Sequence, residues 1–158
     1  MNAPEAAVNA PEAAVNAPEF VVADLIRHRE PLLALNVEYV AWVFAGIEAH
    51  FGVTAEEILG CDAAAYVPTV LDKVCGDVPP HGIFYLLRVG DVFAGMGGLR
   101  AMAPGIAEVK RVYVRPDARG MGLGDALLDR LAGDAAAFGH HTLRLDTGPF
   151  MDAAHRLY

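Results

Sequence analysis

Three glycines at alternate positions, Gly120, Gly122 and Gly124, follow a segment that carries Lys110, Arg111, Arg115 and Arg119. Glycine reaches positive φ without steric cost and lets other backbone approach closely. The first turn of a helix presents unpaired N–H groups and the positive end of the helix dipole. Glycines and cations in this order therefore predict a site for a phosphate or another anion. The spacing narrows the choice. A P-loop needs a Lys after its last glycine, and Asp125 follows Gly124 instead. A dinucleotide fingerprint, G-x-G-x-x-G, meets Asp125 at its third glycine when started at Gly120, and Leu127 when started at Gly122. Asp146 falls about where a ribose-binding acid would stand, but neither glycine register supports that reading.

Such a turn needs a strand to deliver it and a helix to follow it. Ala107 to Arg115 has strand character, and Pro116 ends it. Val112 and Val114 share one face by period-2 alternation, while Val109 falls on the other. One extra residue at Lys110–Arg111 would bring all three valines to one face, which predicts a β-bulge there. Beyond the glycines, Leu127, Leu128, Leu131, Ala135 and Phe138 keep helical spacing up to Gly139. Thr142 to Asp146 is a further strand, and Met151 to Tyr158 begins another helix.

Upstream, Glu19 to Leu25 is a short first strand. From Pro31 a helical stripe runs through Leu33, Val37, Val40, Phe44, Ile47 and Phe51, closed by Gly52. Leu32, Leu35, Tyr39, Trp42 and Val43 widen its apolar arc, so this helix is expected to be covered on two sides or to line a cavity. Thr54 with Glu57 three residues on caps a short helix to Leu59. Ala63 to Cys75 is another helix, interrupted by Pro68, and Pro79-Pro80 closes the helical region. Gly82 to Arg88 and Val92 to Ala101 form a hairpin around Gly90-Asp91. Gly95, Gly97 and Gly98 mark a bulge or a close backbone approach within its second strand.

The 158 residues and 54% hydrophobic content suit one globular domain with a real core. The net charge of −8 argues against a nucleic-acid partner. Residues 1–80 hold twelve acids and three bases, and residues 81–158 eight acids and nine bases, so the basic excess gathers near the glycine turn. Cys61 and Cys75 fit neither a zinc site nor a disulfide framework, and no metal is expected. No unbroken run of about 18 apolar residues occurs, so no membrane partner is expected, and a cytoplasmic protein is the default. Residues 1–19 repeat NAPEAAV, a proline-punctuated, low-complexity tail expected to be disordered ahead of one domain over 20–158.

The spacing that fits is Arg-x-x-Gly-x-Gly, filled by Arg119, Gly122 and Gly124. With RVYVRP before it and an apolar helix after it, the string RVYVRPDARGMGLGDALLDRL resembles the acyl-CoA-binding motif of the GNAT (GCN5-related) N-acetyltransferase family. Glu108 on the same strand and the A-x-x-L-Y helix of Ala154, Leu157 and Tyr158 agree with it. The resemblance covers about residues 82–158. It implies an α/β (α+β) fold, a mixed central sheet flanked by helices and split beside the bulged strand, with acetyl-CoA as co-substrate in the opening. By position it implies pantetheine contacts from Val112, Tyr113 and Val114. The pyrophosphate would lie on Arg119, Gly120, Met121, Gly122, Leu123, Gly124 and Asp125. It also implies Glu108 as the base, acting through water, and Tyr158 as the acid for the leaving thiolate. The expected reaction is direct attack on the thioester by a primary amine of a small molecule or peptide; the alternative is a non-catalytic acyl-CoA-binding or dimerising module. Two departures stand out. Met151 replaces an asparagine often found in this family, and the family continues past L-Y with two further strands. A homodimer completing the open sheet edge is one expected consequence.

Overall fold

The computed structural model of the chain describes residues 17–145. In chain order these form β1 (Glu19–Val22), α1 (Arg29–Phe51), α2 (Ala55–Leu59), α3 (Ala63–Cys75), β2 (Gly82–Val89), β3 (Val92–Ala103), β4 (Ile106–Val114), α4 (Leu123–Ala137) and β5 (Thr142–Leu145). A short 3-10 turn, Pro116–Ala118, separates β4 from the glycines. The sheet runs β1-β2-β3-β4-β5. Its first four strands are antiparallel, and β5 joins β4 in parallel after the α4 crossover. This is the expected mixed α/β architecture.

The sheet is covered on both faces, which explains why β2 is apolar without interruption rather than alternating. Phe84 and Leu86 face Leu32, Leu35 and Val40 of α1 and Val67, Leu71 and Cys75 of α3. Ile83, Tyr85 and Leu87 turn the other way, toward Leu127, Leu131 and Ala135 of α4. Each fully buried leucine in these two cores contributes about 1.5–3 kcal/mol.

The bulge lies one residue from its expected place. Met96 pairs with Tyr113 and Gly98 with Lys110, so Gly97 opposes both Arg111 and Val112. Arg111 adopts φ 57°, the positive-φ residue that lets the strand absorb the extra position. As predicted, Val109 and Val112 pack on the α4 side, and Val114 packs near Leu123. Tyr113 points to the α1 side. Gly97 leaves room for Leu127 and Val112 on the α4 side, since a Cβ there would lie 2.6 Å from Leu127 Cδ2 and 3.2 Å from Val112 Cγ2.

Three expectations about the helices and β1 need correction. β1 stops at Val22, because Asp24 Oδ1 accepts from the N–H groups of Ile26 and Arg27 at 2.9 and 2.8 Å and turns the chain. Pro68 does not interrupt α3, which is continuous. Pro68 and Ala64 both face solvent, so water can take the carbonyl that proline leaves unpaired, while Val67 and Leu71 hold the helix down. In α1 the buried residues are Leu32, Leu35, Asn36 and Val40. Of the predicted stripe only Val40 is among them, and Phe51 is 62% exposed.

By length and composition alone α1 could cross a membrane, since an 18-residue window reaches mean hydropathy 1.4. The expectation of no such segment rested on unbroken runs, whereas an average tolerates Asn36 and Glu38. In α1 22% of that window is buried, and the buried residues pack on α3 and the sheet.

Candidate functional site

The glycine turn is built open. Arg119 is extended, Gly120 has φ 86°, and Gly122 forms the α4 N-cap at φ 74°. Among the described residues no side chain caps this helix end. A Cβ at Gly120 or Gly122 would meet nothing within 4 Å, so space lies beside both. Leu123 anchors the turn by packing with Ala94 and Ala118, while Met121 is exposed. Asp125 sits in the first helical turn and places one negative charge beside the dipole's positive end. The arrangement suits an anion approaching Arg119–Gly124 from the open side.

β4 leads into this turn along a free margin. β5 pairs with Ile106 to Val109 only, so among the described residues no strand lies beside Val112–Val114 on that side. The Arg119 Nε donates to the Val114 carbonyl at 2.9 Å. Its guanidinium lies 5.7 Å from the Tyr113 ring centroid and 5.9 Å from that of Trp42. The Tyr113 hydroxyl donates to Glu38 Oε1 at 3.3 Å, and Arg115 Nη2 stands 2.9 Å from Glu38 Oε2. Burial, and then the Glu38 carboxylate, push the Tyr113 phenol up, so it stays a donor.

A second polar group lies on the same face, before the bulge. Lys110 Nζ is 2.7 Å and Arg100 Nε 3.0 Å from Asp77 Oδ2, and Arg100 also donates to the Lys73 carbonyl. Burial pushes the Asp77 carboxyl up, but Lys110 and Arg100 together hold it below its usual range. Burial pulls the Lys110 ammonium down further than Asp77 raises it. Asn36 Nδ2 donates to the Leu32 carbonyl at 2.8 Å and to Cys75 Sγ at 3.6 Å. Burial drives the Cys75 thiol up to about 11, which excludes it as a thiolate at neutral pH.

Asp77 therefore contributes stability that is present above its unfolded pKa, near ~3.9, and is lost as pH falls toward its lower folded value. Asp77→Asn is expected to cost about 1–2 kcal/mol at pH 7, since it leaves Lys110, 12% exposed, with a neutral partner. Urea denaturation from pH 7 to pH 3 should show a shallower acid loss in the variant. Parallel stability curves for the two proteins would remove Asp77 from that role.

Glu108 is half-buried. Its neighbours Ala107 and Val109 enter the α4 core, so its side chain takes the opposite face. It stands across from Arg100 on β3 and Arg144 on β5, yet pairs with neither. With Met102, Arg144 and Leu145 it lines a cavity of about 410 Å³. Tyr158, Asp146, Met151, Ala154 and Leu157 lie outside the described residues, as does most of the NAPEAAV tail.

The structure thus brings Val112–Val114 and Arg119–Asp125 into one continuous margin, with Glu108 before the bulge on the same strand. Sequence reasoning placed Tyr39 and Trp42 in an apolar arc that would be covered or line a cavity, and it missed Asn36, Glu38 and Asp77. One signal was available. Asn36 shares helical spacing with Leu32, Leu35 and Val40, and a polar residue within an apolar face needs a partner.

Comparison with known proteins bears on the fold and the family. The chain is 37% identical over 84 residues to an uncharacterized N-acetyltransferase of Schizosaccharomyces pombe, covering 51% of this chain and 50% of that protein, so it spans about half that relative's length. It is 31% identical over 113 residues to an IAA acetyltransferase of Azospirillum brasilense, covering 61% of this chain and 74% of the relative. Among solved structures, the PaiA N-acetyltransferase of Thermoplasma acidophilum, in complex with coenzyme A, shares the fold with a TM-score of 0.67 at 18% identity, over 90% of this chain and 86% of that one. Residues 54–158 match the model of the acetyltransferase (GNAT) family, and on the extent of that match the chain belongs to this family.

Proposed function

We propose that the protein is an N-acetyltransferase that moves an acetyl group from acetyl-CoA to a primary amine of a small molecule or peptide. One observation carries the reading: an uncapped helix N-terminus with two open positive-φ glycines continues directly from a strand margin freed at a bulge. The residues present suit coenzyme A, with anion-binding amides at one end and, leading away from them, a strand margin with no neighbouring strand among the described residues. When bound, acetyl-CoA supplies an acyl group activated as a thioester. The amides of Arg119 through Asp125 hold the pyrophosphate, and the Arg119 guanidinium adds charge beside them. Backbone groups of Val112, Tyr113 and Val114 pair with the pantetheine arm as a missing strand would. Glu108 takes a proton from the acceptor ammonium through water, leaving the nitrogen lone pair free to attack. As the adduct's C–S bond breaks, Tyr158 donates its phenolic proton to the departing sulfur, and the surplus proton on the new amide nitrogen returns through solvent to the tyrosine oxygen.

Acetyl-CoA at 100 times its Kd is expected to raise the unfolding free energy by ~2.7 kcal/mol, read as a thermal shift. Turnover of an amine panel should accompany it. A shift without turnover of any amine would favour the non-catalytic binding module. No shift at millimolar acetyl-CoA would end both readings.

A further inference from the structure

We propose that the acceptor amine also carries a carboxylate, and that the Arg111 guanidinium binds it. This rests on the proposed function and deepens it by naming the acceptor's chemical class.

The first observation is a charge left over. Five cations lie along the sheet face and margin toward α1: Arg100, Lys110, Arg111, Arg115 and Arg119. Arg100 and Lys110 share the Asp77 carboxylate, and Glu38 takes Arg115. Arg119 stands at the glycine turn, where the cofactor's phosphates would lie. Arg111 remains. Among the described residues its guanidinium has one long hydrogen bond, to Asn36 Oδ1 at 3.4 Å, and lies 5.2 Å from the Tyr39 ring centroid. No described carboxylate reaches it. A guanidinium with most of its five donors unspent, resting over an aromatic ring, is free to make two parallel bonds to a carboxylate.

The second observation is where the arginine stands. It is the only described non-glycine residue at positive φ, in the bulge position where glycine would fit at no steric cost. A long side chain in that conformation is explained if its head group has work at the bulge. The Tyr39–Tyr113 ring pair, 6.1 Å between centroids, lies between Arg111 and Arg119, because Arg111 sits over Tyr39 and Arg119 over Tyr113. The two arginines therefore address different parts of the opening. Arg111 belongs to the stretch from Glu108 to Val112, and its guanidinium lies at Asn36 and Tyr39; in this proposal the acceptor amine meets the thioester there.

The experiment uses matched acceptors, each an L-α-amino acid and its carboxamide, with the full chain and its Arg111→Gln and Arg111→Gly variants. Glycine keeps the backbone unstrained and covers the case in which glutamine fails to fold. The wild type should favour the acid over its carboxamide by at least about 10-fold in kcat/KM, and both variants should bring that ratio to within about threefold of one. Equal use of acid and amide by the wild type would overturn the proposal. So would variants that slow both acceptors alike and keep the wild-type ratio, which would put Arg111 at the reacting carbonyl instead.

A readout without turnover is built in. Trp42 is the sole tryptophan and lies 6.2 Å from Tyr113, ring to ring. With coenzyme A present, amino acids should change its fluorescence at concentrations where their carboxamides do not, and the variants should lose that difference. Absent turnover with this difference intact would sink the catalytic reading while sustaining a carboxylate site at Arg111. Turnover with no such difference would do the reverse.

Discussion

Gly122→Val is expected to weaken acetyl-CoA binding by at least 100-fold, an amount worth about 2.7 kcal/mol, and with it to abolish the thermal shift. The reason is not packing, because a Cβ at Gly122 would meet nothing within 4 Å. Two other effects act together. Gly122 holds φ 74° as the α4 N-cap, and a β-branched residue forced into that region costs about 1–3 kcal/mol or moves out of it. Moving out rotates the amides of Leu123 and Gly124 away from a common point. A valine that stays in place instead fills the open space where a phosphate would sit. Gly139→Val is the matched control, since Gly139 has φ 91°, equally open surroundings, and lies beyond the opposite end of α4. Both variants should lose comparable stability, but only Gly122→Val should lose acetyl-CoA in calorimetric titration. Binding within threefold of wild type in Gly122→Val would place the cofactor's phosphates elsewhere.

How much of this could be read from the chain depended on the distance between interacting residues. The bulge was legible because period-2 arithmetic over Val109, Val112 and Val114 is local, and only an inserted residue reconciles their faces. The glycine turn was legible for the same reason, along with the caps at Gly52 and Thr54, which act within four residues. The buried face of α1 was not. Apolar residues surround that helix almost completely, so two stripes compete at identical spacing. The choice fell to Val67, Leu71 and Cys75 of α3 and to Met96 and Tyr113 of the sheet, which are distant in sequence. The ionic side of the site was hidden likewise. Asp77 is 23 residues from Arg100 and 33 from Lys110, and Glu38 is 77 from Arg115. Charge counts placed an excess near the glycines but could not show which cations were already matched. Only the paired geometry leaves Arg111 unmatched, and that residue carries the acceptor proposal.

Glu108→Gln should lower kcat by about 100- to 1,000-fold while leaving the Kd for acetyl-CoA unchanged, as expected of a lost general base. Two features of Glu108 favour an active carboxylate over a structural one. Its side chain takes the face opposite the α4 core, so burial of its neighbours Ala107 and Val109 does not depend on it. The cations that could claim it do not. Arg100 stands directly across the β3–β4 pair but turns to Asp77, and Arg144, its β5 neighbour, makes no ion pair with it among the described residues. A carboxylate paired to neither arginine keeps its oxygens free, and the cavity of about 410 Å³ beside it has room for a relaying water. Glutamine keeps the size and the acceptor oxygen but cannot take the proton, so the substitution isolates that one property. Tyr158→Phe tests the other half of the transfer, because a lost acid slows departure of the thiolate without touching amine deprotonation. If the two groups act in one proton relay, the double variant should be slower than wild type by much less than the product of the single effects. A Glu108→Gln enzyme within threefold of wild-type kcat would make Glu108 structural and move the search for the base to residues beyond β4.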